Sequence, residues 1–173
     1  GIGDADLQRS REFVLALLEA LPRGSQMMLA TFSGDKRTVL PPTSDRAQLA
    51  KAFAEFKAGT SGIALPDGLF DMVGSLGSLP AEASALLLVS AGRVREGDLQ
   101  FEDPLNAAVS KRIPVFGLGI GQGDGKLLRR ITKITGGEFV RMEVADASMF
   151  AHLITPGAQS EGAVSAARAL QSP

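Results

Sequence analysis

The strongest constraint on the fold is an alternation in the second half of the chain. Short apolar runs alternate there with segments of helical period. Ala85 to Ser90 and Ile113 to Leu118 are apolar runs without a 3.6-residue repeat. Asp103-Pro104 opens a helix between them, and a second helix with Leu127, Leu128, Ile131 and Ile134 on its buried face follows. Strands covered on both faces read as continuous apolar runs, and parallel strands need a long crossover, usually a helix. The pattern therefore predicts an α/β fold: a doubly wound, mostly parallel sheet with helices on both faces.

The first half supplies the rest. Leu7 to Leu21 carries Val14, Leu17, Leu18 and Leu21 at i, i+3, i+4, i+7, which predicts an amphipathic helix stopped by Pro22 and Gly24. Asp4 or Asp6 is the candidate cap at its start. Gln26 to Phe32 and Arg37 to Leu40 flank Ser33-Gly34-Asp35, which predicts a hairpin and hence one antiparallel edge strand closed by Pro41-Pro42. Asp35 reads as a turn residue and Met27-Met28 as core filling. Thr43-Ser44-Asp45 offers caps for a helix with Leu49, Ala52, Phe53 and Phe56 on one face, ending near Gly59. A further helix runs from about Ala64 to Leu76, with Pro66 tolerable in its first turn. Asp124 is the expected cap of the helix before Gly136-Gly137, and those glycines predict a left-handed stop. Glu138 to Met142 is the expected last strand and Asp146 to Ile154 the closing helix. Residues 1–154 are read as one domain and 155–173 as a tail or linker.

Composition narrows the function classes. Lys+Arg is 18 against 19 Asp+Glu, a net charge of -1. The nearest thing to a basic stripe is Arg129, Arg130 and Lys133, read as a solvated helix face, so no nucleic-acid partner is expected. Cysteine is absent and His152 is the single histidine, which removes thiolate chemistry and leaves a zinc site or triad without partners. Neither a signal-peptide pattern nor an apolar run near ~18 residues occurs, so this segment is not expected to insert into a membrane.

Six segments, in order, resemble the von Willebrand factor type A domain of the bacterial kind. Met28 to Ser33 is similar to the family's second strand with its Thr-Phe-Ser ending, and Pro42 to Arg46 to the lead into its second helix. Ala58-Gly59-Thr60 resembles the Gly-Gly-Thr loop, and Leu86 to Gly92 the strand ending in Thr-Asp-Gly. Ile113 to Gly121 resembles the next strand, and Gly136 to Phe139 the last. The resemblance implies a Rossmann-like sheet and a protein-binding, adhesion-like or scaffold role.

It also implies a divalent cation, normally Mg²⁺, at the C-terminal edge of the sheet. The family's ligands are an Asp-x-Ser-x-Ser after the first strand, a Thr in the second loop and an Asp in the third. Thr60 matches a ligand position, with Ser90 nearby. Ala91 stands where the Asp belongs, and the Asp-x-Ser-x-Ser is not found. Hard cations want several oxygens, some charged, so no cofactor is expected unless the missing Mg²⁺ ligands come from upstream or from a partner. The family's first, central strand is not found either. It is lost from the sequence, supplied by a strand-donating chain or second copy, or replaced by a rearrangement.

Glycines 117, 119, 121, 123 and 125 fail the Gly-x-Gly-x-x-Gly spacing of a dinucleotide loop in every register, and Leu127 after Lys126 fails the phosphate-loop pattern. Asp98, Glu102 and Asp103 read as a solvated loop with a cap rather than a catalytic carboxylate pair. No catalytic residues are assigned, and no enzyme activity is expected. The expected contact face is Ser33, Asp35, Thr60, Ser61, Ser90, Ala91, Arg93 and Arg95, with 121–124, because open α/β sheets bind at the carboxyl ends of their strands. The alternatives are an assembly subunit sharing its sheet with another chain, including a homo-oligomer, and a small-molecule-binding enzyme domain.

Overall fold

The computed structural model describes residues 4–33, 36–55, 65–80, 84–90, 100–121 and 125–155, with residue 4 and residues 31–39 described through their backbone only. The elements are α1 (Asp4–Ala20), β1 (Met27–Ser33), β2 (Lys36–Thr43), α2 (Arg46–Ala54), α3 (Leu65–Gly77), β3 (Leu86–Ser90), α4 (Glu102–Ser110), β4 (Val115–Gly119), α5 (Lys126–Thr135), β5 (Phe139–Arg141) and α6 (Ala147–Ile154), with a 3-10 turn at Met142–Val144.

Strands β3, β4 and β5 form a parallel sheet in that order, Leu86 opposite Val115 and Gly117 opposite Phe139. β1 and β2 pair antiparallel, as the hairpin reading requires. Among the described residues these are two separate sheets. Both are covered by the same two helix layers. Leu69, Met72 and Val73 of α3, Leu105 and Ala108 of α4, and Leu127 and Ile131 of α5 share one core with Leu86 and Val115, and Met28, Ala30 and Leu88 pack against it. The opposite core joins Phe13, Val14, Leu17 and Leu18 of α1, Leu49 and Phe53 of α2, and Phe150 of α6 to Phe116 and Leu118. Met27, Leu29, Leu87 and Val89 border it. Alternate residues of one strand thus enter opposite cores, as the two-residue pleat demands. Met27 and Met28 fill different cores.

Several expectations are corrected. Val115 to Leu118 are buried, but β3 is not the fully buried strand expected: only Leu86 is buried and the rest is half-buried. The pairing described for β3 is with β4 on one side. β2 runs through Pro41-Pro42 instead of stopping there. Its register slips between Met27 and Leu29, and a bulge tolerates residues that cannot donate to the ladder. Asp6 does not cap α1, since it lies inside the helix, where its carbonyl accepts the Ser10 hydroxyl at 2.7 Å. α4 begins two residues earlier than expected, with Phe101 in place of Asp103 at the cap position and no side-chain cap bond. Pro104 is then the third helical residue, still within the turn whose N–H groups have no helical acceptor. Gly125, in the left-handed region at φ 63°, occupies the N-cap position of α5, and Asp124, the expected cap, lies outside the described residues. On α5, Ile134 is exposed and Thr132 takes its expected place in the core, because Thr132 Oγ1 donates to the Arg129 carbonyl at 3.1 Å while its methyl faces Gly117.

Other expectations hold. Of Thr43-Ser44-Asp45, Asp45 accepts from the Gln48 N–H at 3.0 Å and caps α2; Asp146, read from the sequence as the start of the closing helix, is its cap and accepts from the Met149 N–H at 2.9 Å. Gly136 ends α5 at φ 82°. Gly137 then lies so close to β4 that a Cβ would come within 2.6 Å of the Val115 carbonyl carbon.

Candidate loop rim at the carboxyl ends of the strands

The parallel strands end together at Ser90, Gly119 and Arg141. The Ile120 N–H donates to the Ser90 carbonyl at 3.0 Å, so the turn after β4 is tied to the end of β3. Gly121 continues that turn at φ 68°, a conformation that favours glycine. Arg141 Nη1 donates to the Gly121 carbonyl at 2.9 Å, tying the end of β5 to the same turn. A Cβ on Gly121 would sit 3.5 Å from Asp6 Oδ2, so the first turn of α1 also reaches this edge. Asp6 lies 4.0 Å from Arg9 in an exposed ion pair, which contributes little to stability.

Below the rim, glycines 117, 119 and 125 have a structural use. A Cβ on Gly119 would lie 2.9 Å from two ring carbons of Phe139, and one on Gly125 2.7 Å from its tip. A Cβ on Gly117 would lie 3.2 Å from the same ring. The ring occupies the space these residues leave, and the Arg129 guanidinium stacks over it 4.5 Å from its centroid. The glycine series is thus a seat for an aromatic side chain.

Of the residues assigned to the contact face from sequence, Ser33 ends β1 and half-buried Ser90 ends β3. Asp35, Thr60, Ser61, Ala91, Arg93 and Arg95 lie outside the described residues, as do 122–124. The structure adds Asp6 and Arg141, which the sequence reading did not place here. Nothing in their local sequence marks them, because Gly121 joins them through the fold. His152 is exposed on α6. Among the described residues no group of three or more His, Asp or Glu is placed to hold a metal ion, and no helix is long and apolar enough to cross a membrane. By donor chemistry the family's cation positions fit poorly: Ala91 offers a methyl, and Thr60 and Ser90 are neutral hydroxyls.

The model of the von Willebrand factor type A domain matches residues 1–155. Among solved structures, an aerotolerance-related membrane protein from Bacteroides fragilis NCTC 9343 is similar at TM-score 0.65 and 17% identity, over 89% of this chain and 88% of that one. A von Willebrand factor type A protein from Catenulispora acidiphila gives TM-score 0.66 at 16% identity, over 91% of this chain and 37% of that one. The N-terminal domain of TFIIH p34 gives 0.51 at 16%, over 87% and 84%. At these identities the likeness is one of fold. Among curated proteins none matches the chain by sequence.

Proposed function

This chain belongs to the von Willebrand factor type A domain family, and on that premise we propose that it is a non-catalytic, protein-binding scaffold module. Its contact face is the loop rim, with Ser33, Asp35, Thr60, Ser61, Ser90, Ala91, Arg93 and Arg95 supplying the contacts. The observation that carries this reading is the convergence of β3, β4, β5 and the start of α1 on one edge through Ser90, Gly121, Arg141 and Asp6. Ligands of open α/β sheets dock at that edge. The face works without a metal, since Ala91 removes the anionic oxygen that a hard cation would need most. Arg93 and Arg95 then supply the charge that recognises an acidic segment of the partner.

Two measurements test this. Titration with Mg²⁺ or Mn²⁺ should give no micromolar affinity, and such an affinity would overturn the metal-free reading. Photo-crosslinking from the rim should capture a protein from the native lysate, and Arg93→Glu/Arg95→Glu should abolish the capture. Capture that survives those changes, but is lost on reversing charges elsewhere, places the contact face off the rim and refutes the proposal.

A second reading is favoured by the separation of the β1–β2 and β3–β4–β5 sheets between shared helix layers. On that reading another chain lends a strand between β1 and β3. Backbone amides of both strands should then exchange more slowly as concentration or partner rises. Exchange independent of both opposes it.

A further inference from the structure

Helices α3, α4 and α5 form one layer, with their apolar faces in a single core and α4 packed against both neighbours. Each leads into the next parallel strand, so all three run in the same direction and start at the loop rim. The outer side of this layer is electrically polarised. α3 exposes Asp67 and Asp71, whereas α5 exposes Lys126, Arg129, Arg130 and Lys133 and contains no acidic residue. The chain as a whole carries -1, so this separation reflects arrangement and not composition. Each helix also exposes one large apolar side chain: Phe70 on α3 at 49%, Val109 on α4 at 50% and Ile134 on α5 at 47%.

We propose that this layer is a self-docking surface whose partner is a second copy of the chain, related by a two-fold axis lying along α4. That operation sets the acidic α3 of each copy over the basic α5 of the other and brings Val109 near its own counterpart. A two-fold axis across the helices would oppose α3 to α3 and α5 to α5, like charge on like. A partner of one sign would satisfy one side of the layer and be repelled by the other. A second copy carries both signs in the complementary order, and charge complementarity therefore selects it. The stacking of Arg129 on Phe139 holds one of the cations in place before docking.

The layer is small. Three helices about 10 Å apart and roughly 15 Å long offer on the order of 500 Å² per copy, below the ~800 Å² of a standard interface. The dimer is therefore weak and salt-sensitive. Glu102 and Asp103, exposed at the start of α4, meet their own copies near the axis, and their repulsion limits the affinity further.

Sedimentation velocity on the full chain up to about 100 μM, in roughly 10 mM salt, tests this. The wild-type chain should dimerise, and added salt should reverse it. Asp67→Lys/Asp71→Lys and Arg129→Glu/Arg130→Glu should each weaken association at least about tenfold. All four changes combined with Lys126→Gln/Lys133→Gln leave α3 basic and α5 acidic and should restore the homodimer, because the reversed helices then match. Glu102→Gln/Asp103→Asn should tighten it. The inference is overturned by a wild-type monomer throughout this range, by dimers that ignore either double reversal, or by a sixfold variant, with α3 basic and α5 acidic, that stays monomeric. Binding of the monomer to anionic vesicles or an acidic polypeptide through α5, without self-association, overturns it in favour of that occupant. Arg93→Glu/Arg95→Glu should leave dimerisation unchanged, which separates this surface from the loop rim.

Discussion

One substitution, glycine to alanine, should have three different outcomes at three positions, and the reasons lie in the surrounding atoms. At Gly137 a Cβ would fall 2.6 Å from the Val115 carbonyl carbon and 3.1 Å from the Phe116 nitrogen, both backbone atoms of β4. Non-bonded carbons approach to about 3.5 Å, and the Val115 carbonyl oxygen lies nearer still, so the turn before β5 must retreat by more than about 0.9 Å. That movement strains the adjoining bond from the Gly117 N–H to the Glu138 carbonyl, now 2.9 Å. Overpacking costs about 1–3 kcal/mol, and a weakened hydrogen bond adds about 1. Alanine returns about 0.4–1 kcal/mol by restricting the unfolded chain, which leaves a net loss of about 1–3.5 kcal/mol, and an approach this close to backbone places Gly137→Ala in the upper half of that range. At Gly136 nothing lies within 4 Å, and the penalty is the left-handed backbone at φ 82°, about 1 kcal/mol. At Gly74, inside α3, space is open and the backbone is helical, so alanine should stabilise by about 0.5–1 kcal/mol. The chain has neither Trp nor Tyr, so urea unfolding is followed by far-ultraviolet circular dichroism. The expected order of midpoints is Gly74→Ala above wild type, then Gly136→Ala, then Gly137→Ala. A Gly137→Ala midpoint equal to or above that of Gly136→Ala would refute the claim that β4 backbone contact, and not backbone dihedral, dictates glycine there.

Other consequences are measurable in the same way. Phe150 meets Phe13 and Phe116 edge-on, each at 5.8 Å, and joins α6 to α1 and β4; Phe150→Ala should cost about 3–5 kcal/mol and Phe150→Leu less than half of that. Arg46 donates to the Leu18 carbonyl and, at 2.9 Å, to the Leu21 carbonyl, closing the end of α1. Arg46→Ala should cost about 1–2 kcal/mol, and Arg46→Lys should recover only part because a point charge does not span both acceptors. Asp45→Ala and Asp146→Ala should each cost about 1 kcal/mol, with asparagine retaining most of the cap.

What the sequence makes legible is periodic, and what it hides depends on neighbours distant in the chain. Leu17, Leu49, Phe53, Leu127 and Ile131 announce their burial because each recurs on one helical face, whatever it packs against. The hairpin and the cap at Asp45 are equally local, since each needs only a few consecutive residues. Ile134 and Thr132 invert because apolarity alone favours isoleucine, whereas Gly117 opposite leaves a niche that the Thr132 methyl fills. The nearby Thr135 hydroxyl accepts the Val115 N–H at 3.0 Å, another polar side chain used against β4. Pro41-Pro42 read as a stop because proline cannot donate to a ladder, and β2 accommodates them by slipping its register, a property of the pair of strands. The rim divides along the same line. Ser33 and Ser90 are visible as the polar ends of apolar runs. Asp6 and Arg141 belong to the rim only because the turn at Gly121 brings the start of α1 and the end of β5 together. Of the partner contacts inferred from sequence, Ser33 and Ser90 fall at strand ends, while the bond that ties the edge together comes from Arg141, far along the chain. Arg141→Ala should accordingly loosen the turn after β4, because it removes the hydrogen bond to the Gly121 carbonyl while leaving Ser33 and Ser90 in place.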